Sequence, residues 1–122
     1  MDDSSENRKN VVKEKSIAFA VRIVNLCKYL NREKSEYVLS KQILRSGTSI
    51  DANISESEFA ISEKDFTSKL YISLKETSET LYWLKILYKT EYISEKEYES
   101  LWNDCEEIRR ILSASTKTLK NK

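Results

Sequence analysis

The chain has 122 residues, 39% of them apolar and 34% charged, and its 21 basic and 20 acidic side chains leave a formal charge of +1. It holds one glycine, no proline and no histidine. This composition excludes a turn-rich β fold, which needs Gly, Asn-Gly or Pro; disorder, which needs fewer apolar residues and more net charge; and any chemistry run by an imidazole base or ligand.

One all-α domain is what remains, large enough to bury a core. Residues 1–9 read as a flexible polar tail without the apolar stretch of a signal peptide. Residues 10–120 read as an antiparallel, up-down-up-down four-helix bundle. The first helix spans 11–30 and leads into a polar connection. The second, 41–58, starts at Ser40, with Leu39 before it and Leu44 at the fourth helical position, the geometry of a hydrophobic staple around an N-cap. The third, 63–90, repeats the device with Ile61, Ser62, Asp65 and Phe66. The fourth, 95–119, repeats it again with Ile93, Ser94, Glu97 and Tyr98, a full capping box with a staple. The joints near 59–62 and 91–94 are short, which forces consecutive helices to lie antiparallel. No stretch approaches the roughly 18 apolar residues of a membrane span, so no membrane partner is expected. Cys27 and Cys105, without a secretory signal, read as reduced, core-packed residues of a cytoplasmic protein.

Helix 4 carries one apolar seam: Tyr98, Leu101, Cys105, Ile108, Leu112, Ser115 and Leu119. Helices 1 and 3 each carry two. On helix 3, Phe66, Leu70, Leu74, Leu81 and Leu84 share a face, and Ile72, Trp83 and Ile86 fall roughly opposite. On helix 1, one stripe is Ile17, Val21 and Val24, with Ala20 and Cys27; the other is Phe19, Ile23, Leu26 and Leu30. A four-helix monomer has one inside, so a second apolar stripe predicts a homo-oligomer. We assign Phe19, Ile23, Leu26, Ile72, Trp83 and Ile86 to its interface, although periodicity leaves open which stripe faces the monomer core.

Nothing in the pattern builds a catalytic or metal site. A di-iron bundle needs Glu-x-x-His pairs, which this chain cannot supply. Glu76 and Glu79, three apart, read as a solvated face or salt-bridge partners. Asp104, Glu106 and Glu107 precede Arg109 and Arg110, and Glu106 with Arg110 makes an i,i+4 ion pair. Gly47 lies inside helix 2, where glycine costs about 0.5–1 kcal/mol relative to alanine, and so predicts a close helix-helix approach. Helix 2 also carries a polar ridge, Gln42, Arg45, Ser49, Asn53 and Glu56. It reads as a wet face, with the alternative that Arg45, Asn53 and Glu56 join networks across helices or subunits. No cofactor or metal is expected.

The run from Gln42 to Glu56, QILRSGTSIDANISE, resembles the signature of a bacterial four-helix-bundle family encoded in intervening sequences of 23S rRNA genes and labelled ribosomal-protein-like. A second stretch agrees: Asp65-Phe66, Lys69-Leu70, Ile72, Leu74-Lys75-Glu76, Glu79-Thr80 and Tyr82-Trp83-Leu84. The resemblance spans about Ile17 to Leu119; Ser57 and Asp51 depart from it where many members have Gly. It implies a small bundle without enzymatic activity, assembled as a homopentameric ring, and similar to the accessory variability protein of diversity-generating retroelements.

Two functions follow as expectations. The first is a non-enzymatic, homo-oligomeric scaffold or interaction protein. The alternative is an RNA-binding factor associated with a ribosome, another ribonucleoprotein or a reverse transcriptase. Its candidate contacts are Arg8, Lys9, Lys13 and Lys15 near the N-terminus and Lys117, Lys120 and Lys122 at the C-terminus. The charge balance weighs against it, since nucleic-acid binders usually show a basic excess.

Overall fold

The computed structural model describes residues 3–120, and their side chains apart from those of residues 3–6 and Arg8. Four helices fill it: α1 (Asp3–Lys34), α2 (Leu39–Ser57), α3 (Glu63–Lys89) and α4 (Glu95–Lys120). Cross-helix contacts fix their directions. Ser16 bonds Asp51 while Cys27 bonds Ser40, so α2 runs back along α1. Thr80 with Ser46 and Ser73 with Ile50 reverse α3 on α2. Cys105 with Thr77 and the stacked rings of Tyr88 and Tyr98 reverse α4 on α3. Lys15 with Glu107 and Arg22 with Glu97 set α4 antiparallel to α1. Each helix packs on two neighbours, most extensively α2 on α3 and least α1 on α4.

The core takes Leu70, Leu81 and Leu84 from α3 and Leu101, Cys105, Ile108 and Leu112 from α4, as the periodicity predicts, and also Leu87, which the predicted stripe omits. Phe66 and Leu74 pack at its edge. From α1 it takes Phe19 and Ile23, 1% and 0% exposed, with Leu26 and Leu30. This corrects the assignment of Phe19, Ile23 and Leu26 to an oligomer interface. Their stripe continues through Val12, Ser16 and Leu30, all buried, and so lines the bundle along about five turns. Of the competing stripe, Ile17, Val21 and Val24 face outward, Ile17 and Val21 each 56% exposed, while Ala20 is half-buried and Cys27 joins the core.

Helix α1 starts at Asp3 rather than near Val11, so the stretch read as a tail is helical from residue 3 onward; Met1 and Asp2 lie outside the described residues. It also ends later, at Lys34. Ser35 then turns with φ 52° and Glu36 N–H donates to Leu30 O, which ties off the last turn. Glu91, φ 65°, does the same after α3, with Tyr92 N–H on Leu87 O. These are the left-handed positions where glycine is usual.

The three starts fare differently. Ser62 and Ser94 cap as read, accepting from Asp65 N–H at 3.0 Å and Glu97 N–H at 3.1 Å. Ile61 forms no staple, since it is 94% exposed. Ser40 is not a cap at all. The helix begins two residues earlier than predicted, at Leu39, and the buried carboxylate of Glu36 accepts from the N–H groups of Val38, Leu39 and Ser40 at 3.1, 3.0 and 2.8 Å. Ser40 instead donates its hydroxyl to Asn31 and to Glu36 O. A carboxylate with two oxygens satisfies three donors where a hydroxyl would satisfy one.

Gly47 does mark a close approach. A Cβ built there would lie 2.9 Å from both Cγ1 and Cγ2 of Ile23.

Candidate functional site

The polar ridge of α2 is exposed at Gln42, Arg45 and Glu56 and half-buried at Ser49 and Asn53, and from it Arg45 and Glu56 also reach across to α3. Arg45 holds Glu76 at 3.1 Å with one guanidinium nitrogen and Glu79 with another. Glu79 also accepts from the indole N–H of Trp83 at 3.3 Å. Lower on the same seam, Lys69 reaches Glu56 at 3.3 Å. Ser49 and Asn53 stay within α2, bonding Arg45 O and Ser49 O, and Gln42 is exposed. Arg45 and Glu56 thus join networks between helices, while Asn53 does not. Glu76 and Glu79 are ion-pair partners of Arg45.

Beside this network runs the outward stripe of α3. Ile72 is 42% exposed, Tyr82 is exposed and packs edge-on against Trp83 (centroids 4.9 Å), and Trp83 and Ile86 are half-buried. Of the α3 candidates, Ile72 is exposed, while Ile86 is half-buried and Trp83 packs in part against the core. On another side of the bundle, the exposed Ile17, Val21 and Val24 of α1 form the second such surface.

The remaining polar groups offer little chemistry. Cys27 donates its thiol to Ser40 O at 3.3 Å, and burial, with the Glu36 charge, pushes it up to about 11. Cys105 is buried against Thr77 O, and burial raises its pKa further. Neither becomes a thiolate at neutral pH, and only the thiolate is a nucleophile. Both are expected to ignore a water-soluble disulfide reagent in the native protein and to react only on unfolding; fast labelling of the native chain would contradict their packing. Glu106 pairs with Arg109, at 2.8 and 2.5 Å, rather than with Arg110. That bond to Arg109 holds the Glu106 carboxyl below its usual range. An open groove of about 470 Å³ between α1 and α4 contains Arg22, Asn25, Tyr29 and Glu97 over Leu26 and Ile93. Its guanidinium is already taken by Asp104 at 2.6 Å and, more loosely, by Glu97.

The basic candidates are partly spent as well. Lys13 bonds Glu58 and Lys15 bonds Glu107, each at 2.5 Å, and Lys9 lies 5.8 Å from the centre of the Phe66 ring. Lys117 and Lys120 are exposed. The side chain of Arg8, and Lys122 as a whole, lie outside the described residues.

A family model described as "23S rRNA-intervening sequence protein" matches residues 8–114. Among solved structures, the chain is similar to a protein of unknown function from the S23 ribosomal protein family of Bacteroides thetaiotaomicron VPI-5482. The two are 58% identical with a TM-score of 0.89, over 90% of this chain and 98% of that one. No curated protein matches the sequence.

Proposed function

The chain belongs to the 23S rRNA-intervening sequence protein family, and we propose that it acts without catalysis, as a homo-oligomeric interaction protein. The observation that carries this reading is the pair of outward apolar surfaces: the exposed Ile17, Val21 and Val24 on α1, and on α3 the exposed Ile72 with the half-buried Ile86 and with Trp83, whose inner side packs against the core. They lie on different sides of one bundle. A contact between unlike surfaces of successive copies is head-to-tail, and head-to-tail contacts that close give a ring. Five copies is the ring size we propose, following the family resemblance. Arg45, Glu76 and Glu79 flank the α3 surface as a charged rim, which suits a partner's polar edge more than its apolar centre.

The absence of catalysis is supported by the chain's lack of histidine, its buried thiols and the commitment of Glu76 and Glu79 to Arg45. RNA binding has less support, because Lys13 and Lys15 are neutralised by Glu58 and Glu107. Light scattering on the intact chain tests the reading. A mass of several chains is expected; a single-chain mass would contradict it.

A further inference from the structure

We propose that the seam between α1 and α4 is a salt-sensitive clasp, the line along which the bundle opens. The other three seams are each closed by buried bonds. Between α1 and α2 the Cys27 thiol donates to Ser40 O. Between α2 and α3 the Thr80 hydroxyl donates to Ser46 and the Ser73 hydroxyl to Ile50 O. Between α3 and α4 the Cys105 thiol donates to Thr77 O. Across α1 and α4, among the described residues, the side-chain bonds are ion pairs alone: Lys15 with Glu107 at 2.5 Å, and Arg22 with Asp104 at 2.6 Å and with Glu97 at 3.8 Å. All of these side chains are a third to a half exposed.

Packing is thinnest along the same line. α1 and α4 share the least contact of any neighbouring pair, and the open groove of about 470 Å³ lies between them, with the buried Leu26 and Ile93 in its lining. They are also the first and last helices. Each of the other neighbouring pairs is tied by a turn, whereas α1 and α4 can part without straining a connection.

Exposed ion pairs are individually weak and fade as ionic strength rises, because the Debye length falls from about 10 Å at 0.1 M to about 3 Å at 1 M. Bonds buried away from solvent are screened much less. At low salt the three ion pairs therefore supplement a thin apolar contact; at high salt that contact stands alone, while the other seams keep their buried bonds. Local opening starts where apolar contact is sparse and the bonds are exposed. The inference does not depend on the oligomeric state. The α1 surface assigned to self-association lies toward α2, where Ile17 shares a groove with Asp51 and Ser55.

Pulsed electron resonance between nitroxide labels tests it. One pair, at Ala18→Cys and Asn103→Cys, sits on exposed positions of α1 and α4; the control pair, at Ala52→Cys and Ser68→Cys, sits on exposed positions of α2 and α3. The intact protein is used, diluted with unlabelled chain so that only distances within one copy are read, and the buried Cys27 and Cys105 stay unlabelled. At about 0.5 M salt the α1–α4 pair should show a longer-distance population at least about threefold larger than at low salt, with the control pair unchanged. Lys15→Gln with Arg22→Gln should raise that population already at low salt while keeping the helical circular dichroism. If that variant does not fold, the salt series on the otherwise unaltered chain decides alone. An α1–α4 distance that salt does not lengthen would overturn the proposal. So would equal lengthening of the control pair, which would mean that the whole bundle loosens, and so would a folded double variant with the low-salt distance of the unaltered chain.

Discussion

Glu36→Ala is expected to lower the unfolding free energy at neutral pH by about 2–3 kcal/mol, as read from urea denaturation, because the residue replaces three backbone partners at once. Its carboxylate accepts from Val38, Leu39 and Ser40 N–H and is itself buried. Truncation leaves those donors, the unpaired start of α2, without their acceptor, the Ser40 N–H in a buried position and the Val38 and Leu39 N–H groups in part-buried ones. Glu36→Gln keeps the shape and one amide oxygen, so it should cost less. The pH dependence has a definite sign. Burial alone would raise the pKa of Glu36, but the backbone donors of Leu39, Ser40 and Val38 and the Ser40 hydroxyl outweigh it and hold the carboxyl below its ordinary value. The stabilisation is therefore complete above the ordinary carboxylate range and is lost as pH falls through the lowered folded value. The gap between the native chain and Glu36→Ala should accordingly close in acid. A difference under about 0.5 kcal/mol at neutral pH, within the range of ordinary surface substitutions, would remove Glu36 from this role.

Gly47→Ala should also destabilise, despite raising the helix propensity of α2. Alanine gains up to about 1 kcal/mol over glycine within a helix. Against this stands a Cβ at 2.9 Å from two carbons of Ile23. Ile23 is fully buried and β-branched, so neither methyl-bearing arm can swing aside without an unfavourable χ1. Overpacking of this kind costs about 1–3 kcal/mol, so α1 and α2 must separate or the side chain must strain, and a net loss is expected. Ile23→Ala removes both close atoms. In a double-mutant cycle Gly47→Ala should then become neutral or stabilising in the Ile23→Ala background. Additive effects would mean that the two sites do not touch.

Much of the bundle was legible because its signals are local. Helix α4 shows a single seam, and Ser62 and Ser94 cap because their hydroxyls precede N–H groups within one turn. The exceptions turn on distant or degenerate information. Ser40 has the same local pattern as the other two serines, but Glu36, four residues upstream, reaches the same donors with more acceptor capacity. The carboxylate at 36 and the short polar stretch around it were the available signal. Similarly, Ser35 and Glu91 adopt left-handed conformations that a glycine would advertise, so the end of α1 was set too early. The two stripes of α1 are both apolar, and composition does not rank them. What ranks them is length: the Phe19, Ile23 and Leu26 stripe extends through buried residues to Val12 and Leu30. On the α2 ridge, the spacing of Arg45 and Glu56 was visible, but their partners on α3 depend on the register between helices, which one strand of sequence does not encode locally.

The most direct test of the account is the native mass of the intact protein at micromolar concentration, paired with Val21→Glu. Val21 is exposed in the monomer, so the charge leaves the core untouched while placing a carboxylate in the proposed contact. A multiple of the 14.3 kDa chain, five by our proposal, is expected for the native protein, and single helical chains for the variant. A native protein that runs as one chain of 14.3 kDa would contradict it, because both apolar surfaces would then face water without a partner.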